Sequence, residues 1–310
     1  MKFIISLAAK FHWNIFHLDI KAAYLNAKLD KDIFVNIPHR DKNYGKGYWK
    51  LNKVLYGLKQ SERVWNETIT VFLENIGFQQ LVSEPCIFKK VNKENTSCII
   101  GIYVDDMIIT DKDQEISKTI KLIKEKFKIS NCERINYLLG IKVEKENNSY
   151  LISQITYTKN ILSKFKINNT RKTNTPCTGD NINENNNPFN KTTYKSALGS
   201  LIYLAKCSCP DISFAVNKAT RKAENPNISD WNKIINILKY LNSTLNYKIK
   251  YTGTGEFFTF TDADLGGDIT DKKSTSGNII LMGKSPICWS SKKQSTVATS
   301  TMEVEYIGTS

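Results

Sequence analysis

Between residues 14 and 110, apolar positions fall in short runs separated by polar breaks, and the spacing within the runs switches between strand-like and helical. Residues 14–18 form a mostly apolar run ending at Asp19, residues 32–37 a β-rich run stopped by Pro38, and residues 48–55 a third. Trp65, Ile69, Phe72, Leu73 and Ile76 recur at helical spacing, with Gly77 where a C-terminal cap belongs. Residues 86–91 and 97–110 read as strands, the second interrupted only by Asp105 and Asp106. Ile116, Ile120, Ile123 and Phe127 mark a second amphipathic helix with a solvated Lys/Glu face. This mixture predicts an α+β sheet domain.

Residues 137–145 and 150–153 read as strands joined at Asn147-Asn148. A stretch without acids, 147–179, follows, and the Asn-rich segment 181–190 reads as a loop or linker. Helices are expected over 194–206, 211–223 and 230–241, the last with Ser229 as N-cap. Strands return at 247–251, 257–261, 278–282 and 287–290, and a final helix starts near Met302.

Composition narrows the function. The 310 residues carry 44 Lys and Arg against 30 Asp and Glu, a net charge of +14, which points to an anionic partner. Seven Cys with no CxxC pair, and three His at 12, 17 and 39, exclude a standard zinc module. No apolar run reaches the roughly 18 residues needed to span a bilayer, so no membrane role is expected. The start, from Met1 to Ala9, imitates a secretory signal, and a secreted protein is one reading. The favoured reading is intracellular, cytoplasmic or nuclear, with Met1 opening in or just before a core helix and sequence missing upstream.

Asp105 and Asp106 sit side by side at the tip of an apolar hairpin, where like charges repel. An exposed Asp-Asp turn is the plain reading. Asp19 also ends an apolar strand, and two strands delivering carboxylates to one sheet edge can hold divalent cations through oxygen ligands. Two Mg²⁺ ions roughly 4 Å apart can activate a 3′ hydroxyl and stabilise leaving pyrophosphate.

Three motifs in order, Leu18-Asp19-Ile20-Lys21-Ala22-Ala23-Tyr24-Leu25-Asn26, Leu55-Tyr56-Gly57-Leu58-Lys59-Gln60-Ser61 and Tyr103-Val104-Asp105-Asp106, resemble the reverse transcriptase of copia-type retrotransposons. The resemblance implies Asp19, Asp105 and Asp106 as ligands of two Mg²⁺ ions, and Tyr24 as steric gate at the sugar 2′ position. It places Tyr56 and Gly57 near the incoming base and template, and Leu139 and Gly140 in the primer grip. Glu62 stands where the family has proline. The implied partners are an RNA template, a DNA primer, their hybrid and dNTPs.

Phe260-Thr261-Asp262-Ala263-Asp264 and Ser300-Thr301-Met302-Glu303-Val304-Glu305-Tyr306 resemble the first two acidic motifs of the RNase H domain of the same polyprotein. That implies Asp262 and Glu305, with Glu303 as the alternative to Glu305, as metal ligands. Further carboxylates would be needed downstream of Ser310, so RNase H activity is expected to be absent. The implied organisation is a right-hand polymerase palm with partial fingers over 1–140, a helical thumb and connection over 141–250, and an incomplete RNase H-like α/β domain over 251–310. The rival reading is a catalytically inactive nucleic-acid-binding remnant of a transposon.

Overall fold

The structure, a computed structural model, describes residues 1–92, 95–111, 113–167, 171–177 and 185–309. Contacts divide the chain between Asn136 and Tyr137 into two compact units. The first contains α1 (Lys2–Lys10), β1 (Asn14–Ile20), a 3-10 turn (Ala23–Asn26), β2 (Phe34–Asn36), β3 (Tyr48–Lys50) and α2 (Ser61–Asn75). It continues through β4 (Gln79–Gln80), β5 (Ile87–Asn92), β6 (Asn95–Tyr103), β7 (Asp106–Asp111), α3 (Asp113–Lys126) and β8 (Ile129–Arg134). Six strands form one sheet in the order β4-β5-β6-β7-β1-β8.

Both faces of this sheet are covered, which is why β6 and β7 are apolar almost without alternation. On one face Leu18, Ile100, Ile102, Met107 and Ile109 pack with Trp65, Ile69 and Leu73 of α2 and Ile116, Ile123 and Phe127 of α3. On the other, α1 approaches so closely that a Cβ on Gly101 would stand 2.9 Å from Ile4 Cδ1. The run expected over 48–55 is strand only at Tyr48–Lys50, paired with β2 as a separate ribbon.

The second unit holds β9 (Tyr137–Leu138), β10 (Ile141–Glu146), β11 (Ser149–Ser153), α4 (Ile155–Lys164), α5 (Lys191–Cys207), α6 (Ser213–Thr220) and α7 (Ile228–Ser243). β12 (Ile249–Tyr251), β13 (Phe257–Ala263), β14 (Thr275–Met282), β15 (Ser285–Lys293) and α8 (Thr301–Thr309) complete it. β12-β11-β10-β9 form one antiparallel sheet and β13-β14-β15 another. Between β11 and β12 in sequence, α4 to α7 bury Ile161, Tyr194, Leu201, Ile212, Ile237 and Leu238 in one core.

The structure corrects several sequence expectations. The single strand expected over 137–145 folds back at Leu139-Gly140, where both residues have positive φ, +49 and +72, as a two-residue hairpin requires. The stretch 147–179 contains α4, whose apolar face the reading of its charge had hidden. The cap of α7 is Asn227: its side chain accepts from Asp230 N–H while Asp230 accepts from Asn227 N–H, a reciprocal capping box that displaces Ser229. Residues 181–184 of the Asn-rich segment lie outside the described residues.

Candidate active site

Strand β1 ends where β7 begins. Asp19 lies directly opposite Asp106 in the antiparallel register, and His17 opposite Ile108. Directly opposed residues share a face, and a period of two puts His17 on the face of Asp19. Asp105 sits in the two-residue turn between Tyr103 and Asp106. The other turn residue, Val104, has φ +56, a left-handed value that a β-branched residue rarely adopts.

This strained turn is held from two sides. The buried Trp65 indole donates to the Val104 carbonyl at 2.9 Å, and Ile20 N–H donates to the Asp105 carbonyl at 2.8 Å. Strain of this kind persists only where the surroundings over-determine it, and it concentrates at functional sites.

Each aspartate of the pair has its own neighbour. The Tyr56 hydroxyl donates to Asp105, 2.9 and 2.7 Å from its two carboxylate oxygens. Burial, and then that carboxylate, push the Tyr56 phenol up to about 12. His17 Nε2 lies 2.6 Å from Asp106 Oδ1. The Asp19 carbonyl accepts from Ser130 Oγ at 3.1 Å. With the carboxylates so placed, no three His, Cys, Asp or Glu side chains among the described residues converge tightly enough to hold a metal ion. The register therefore gathers the three acids at one edge, while Tyr56 and His17 engage two of them.

A family model described as reverse transcriptase (RNA-dependent DNA polymerase) matches residues 1–179. The match spans the whole carboxylate edge. The chain belongs to the reverse transcriptase family. It is 34% identical over 98% of its length to the retrovirus-related Pol polyprotein from transposon TNT 1-94 of Nicotiana tabacum, and 32% over 99% to that from transposon RE1 of Arabidopsis thaliana. It covers only 24% and 21% of those polyproteins, roughly a quarter of their length. A shorter relative, transposon Ty5-1 protein YCL074W of Saccharomyces cerevisiae, is 28% identical over 94% of the chain and 97% of that protein.

The remaining motif residues of this reverse transcriptase family member fall in two places. Tyr24 is buried in the core, with its ring centroid 4.5 Å from that of Tyr56. Gly57 has φ +93, which frees the turn after Tyr56 from side-chain strain. Ser61 Oγ donates to the Leu55 carbonyl at 2.6 Å and starts α2. Glu62, where the family has proline, lies in the first turn of α2, where its charge suits the helix dipole.

Leu139 and Gly140 form the β9–β10 turn in the second unit, with the Leu139 carbonyl accepting from the Tyr203 hydroxyl. Among the C-terminal acids, Asp264 accepts from Thr275 N–H at 2.5 Å and so closes the end of β14. Glu303 accepts from Thr299 N–H at 2.7 Å and from its hydroxyl at 3.0 Å, contacts that hold its carboxyl below the usual range. Asp262 and Glu305 are exposed.

Two residues at the site had not been singled out. The alternation of β1 already places His17 on Asp19's face. Trp65 gave no such signal, because the periodicity of α2 marks it only as core.

Proposed function

We propose that this chain carries the RNA-directed DNA polymerase activity of a copia-type Pol polyprotein, extending a DNA primer on an RNA template inside the cell. The observation that supports this best is the register that opposes Asp19 and Asp106 with Asp105 in the adjoining turn, inside the stretch matched by the family model. In this reading the first unit is palm with partial fingers, and α4 to α7 with their sheet are thumb and connection. The three-stranded sheet with α8 is the RNase H-like part.

The chemistry of three carboxylates at one edge fits a pair of Mg²⁺ ions, provided that Asp105 turns from Tyr56 and Asp106 from His17. Bound there, such ions supply activation of the primer 3′ hydroxyl and neutralisation of leaving pyrophosphate. The chain's own residues set the geometry. Trp65 and Ile20 fix the turn, and the Tyr24–Tyr56 pair forms the wall beside it where dNTP sugar and base would lie. Leu139 and Gly140 would hold the primer strand. Glu305 rather than Glu303 is the RNase H ligand in this reading, because Glu303 already serves as a capping group.

Primer extension on an RNA template with purified protein and Mg²⁺ tests the proposal. Wild-type extension is expected to be weak, and Asp19→Asn, Asp105→Asn and Asp106→Asn are each expected to abolish it with melting and hybrid binding retained. Equal extension by Asp105→Asn would overturn the assignment. A wild type that binds hybrid without extending would instead favour the non-catalytic nucleic-acid-binding remnant, a reading supported by the acid-free stretches 147–179 and 231–255.

A further inference from the structure

Between Tyr24 and Tyr56, whose rings meet beside the carboxylate edge, the chain makes an excursion through β2 and β3. Its two arms are tied together where they leave and return. Val54 N–H donates to the Ala27 carbonyl at 3.2 Å, and Leu51 N–H to that of Ile33 at 2.9 Å. The register opposes Phe34 with Lys50 and Asn36 with Tyr48. Directly opposed residues share a face, as do residues two apart on one strand, so these four lie on one side of the ribbon. Val35 and Trp49 take the other side.

The four form a square, with the rings on one diagonal and Asn36 and Lys50 on the other. Phe34 is 59% exposed and Tyr48 70%, and neither has a ring partner among the described residues. Diagonal neighbours stand roughly 7–8 Å apart, so each ring can take one base of a single strand. From Lys42 to Ser61 the chain carries five lysines, at 42, 46, 50, 53 and 59, and no acid. Lys50 is paired with Asp32 at 2.8 Å, an exposed pair that a phosphate can replace. Lys42 and Lys46, both exposed, form no ion pair among the described residues. A buried protein interface is depleted of charge at its centre, which the Lys50 diagonal contradicts, whereas rings interleaved with cations suit bases and phosphates.

We propose that this face of the ribbon is a stacking platform for single-stranded nucleic acid, with Phe34 and Tyr48 each carrying one base and Lys42 and Lys46 of the connecting loop contacting phosphates. That the strand is the unpaired part of the RNA template rests on the polymerase reading, because the ribbon is rooted at the Tyr24–Tyr56 pair. Every base has a π face, so the platform holds a template without reading its sequence.

The test is fluorescence anisotropy of the full chain, without added metal, with a labelled single-stranded oligouridine and a blunt RNA/DNA hybrid of equal length. Phe34→Ala and Tyr48→Ala are each expected to weaken oligouridine binding about tenfold and hybrid binding less than about twofold. Melting temperatures should stay at the wild-type value, since both rings are exposed. Phe34→Tyr/Tyr48→Phe should bind as wild type does, while Phe34→Leu/Tyr48→Leu, which keeps apolar surface without an aromatic face, should lose as much as the alanines. Lys42→Gln/Lys46→Gln should make the salt slope for oligouridine shallower by about 1.4. Equal loss for the hybrid, equal loss in Phe214→Ala, an exposed ring on α6, or retained binding in the leucine variant would overturn the proposal. So would a wild type that fails to bind oligouridine, or one that sediments as a dimer dissociated by Tyr48→Ala, which would make the face a protein interface. Asp105→Asn is expected to bind oligouridine as wild type does, so failure of the platform and failure of the polymerase reading are separate results.

Discussion

At the scale of single residues, the carboxylate edge is organised by side chains that are not themselves acids. Trp65 is 3% exposed and its indole holds a turn whose Val104 is strained, so removing the donor should be felt in stability. Trp65→Phe is expected to cost about 1–3 kcal/mol by chemical denaturation, from a lost hydrogen bond and lost volume. Val104→Asn is expected to stay within about 1 kcal/mol of wild type, because Asn tolerates the left-handed region. An equal cost for the two would mean that the turn is not held as described. Tyr56 gives a pH-dependent signature. Its phenol is raised to about 12 by burial and by the Asp105 carboxylate, which disfavours a second negative charge. A group raised in this way contributes stability below its unfolded pKa of about 10 that is lost as pH climbs through the folded value. The difference in alkaline absorbance between wild type and Tyr56→Phe should therefore titrate near 12, and Asp105→Asn should bring it down. A midpoint unmoved by Asp105→Asn would detach Tyr56 from that carboxylate.

At the scale of elements, what could be read from the sequence was set by periodicity, and what could not was set by backbone geometry. Helix α2 was legible to within a few residues because its apolar positions and Gly77 agree. The fold-back at Leu139-Gly140 was not, because Tyr137, Leu138 and Ile141 look like one apolar strand until φ is known. The cap of α7 was misplaced by two residues, since Ser229 and Asn227 are both good caps and only the reciprocal bond with Asp230 separates them. Asn227→Ala is expected to cost about 1 kcal/mol, and Ser229→Ala much less, in thermal or urea unfolding. At the β9–β10 turn, a Cβ on Gly140 would meet the Tyr203 hydroxyl at 3.0 Å with φ at +72. Gly140→Ala should destabilise the second unit by about 1–2 kcal/mol for both reasons.

At the scale of the whole molecule, the sequence carried the carboxylate edge but not its present occupants. The three acids were legible because Asp19 ends an apolar run and Asp105 and Asp106 interrupt another, whereas the bonding of the last two to Tyr56 and His17 depends on rotamers that no motif encodes. The clustering of Lys218, Arg221 and Asp268 with Lys293 around one cavity of the second unit was hidden for a similar reason. Lys218 and Lys293 are 75 positions apart, and the packing of α6 against β15 brings their elements together. Asp268 holds that packing. Hydrogen bonds from Lys293, Thr270 N–H and Arg221 overcome the opposing effect of burial and keep its carboxyl well below the usual carboxylate range. A carboxylate lowered in this way contributes stability above its unfolded pKa of about 4 that is lost as pH falls through the folded value. The second unit should then weaken progressively below about pH 4. Asp268→Asn, which leaves Arg221 and Lys293 without their shared partner, should cost about 2–4 kcal/mol at neutral pH and flatten the acid limb of the stability curve. Melting curves of wild type and variant between pH 3 and 7 decide the matter. Parallel curves across about that range would show that Asp268 does not bind the helices to the sheet through its charge.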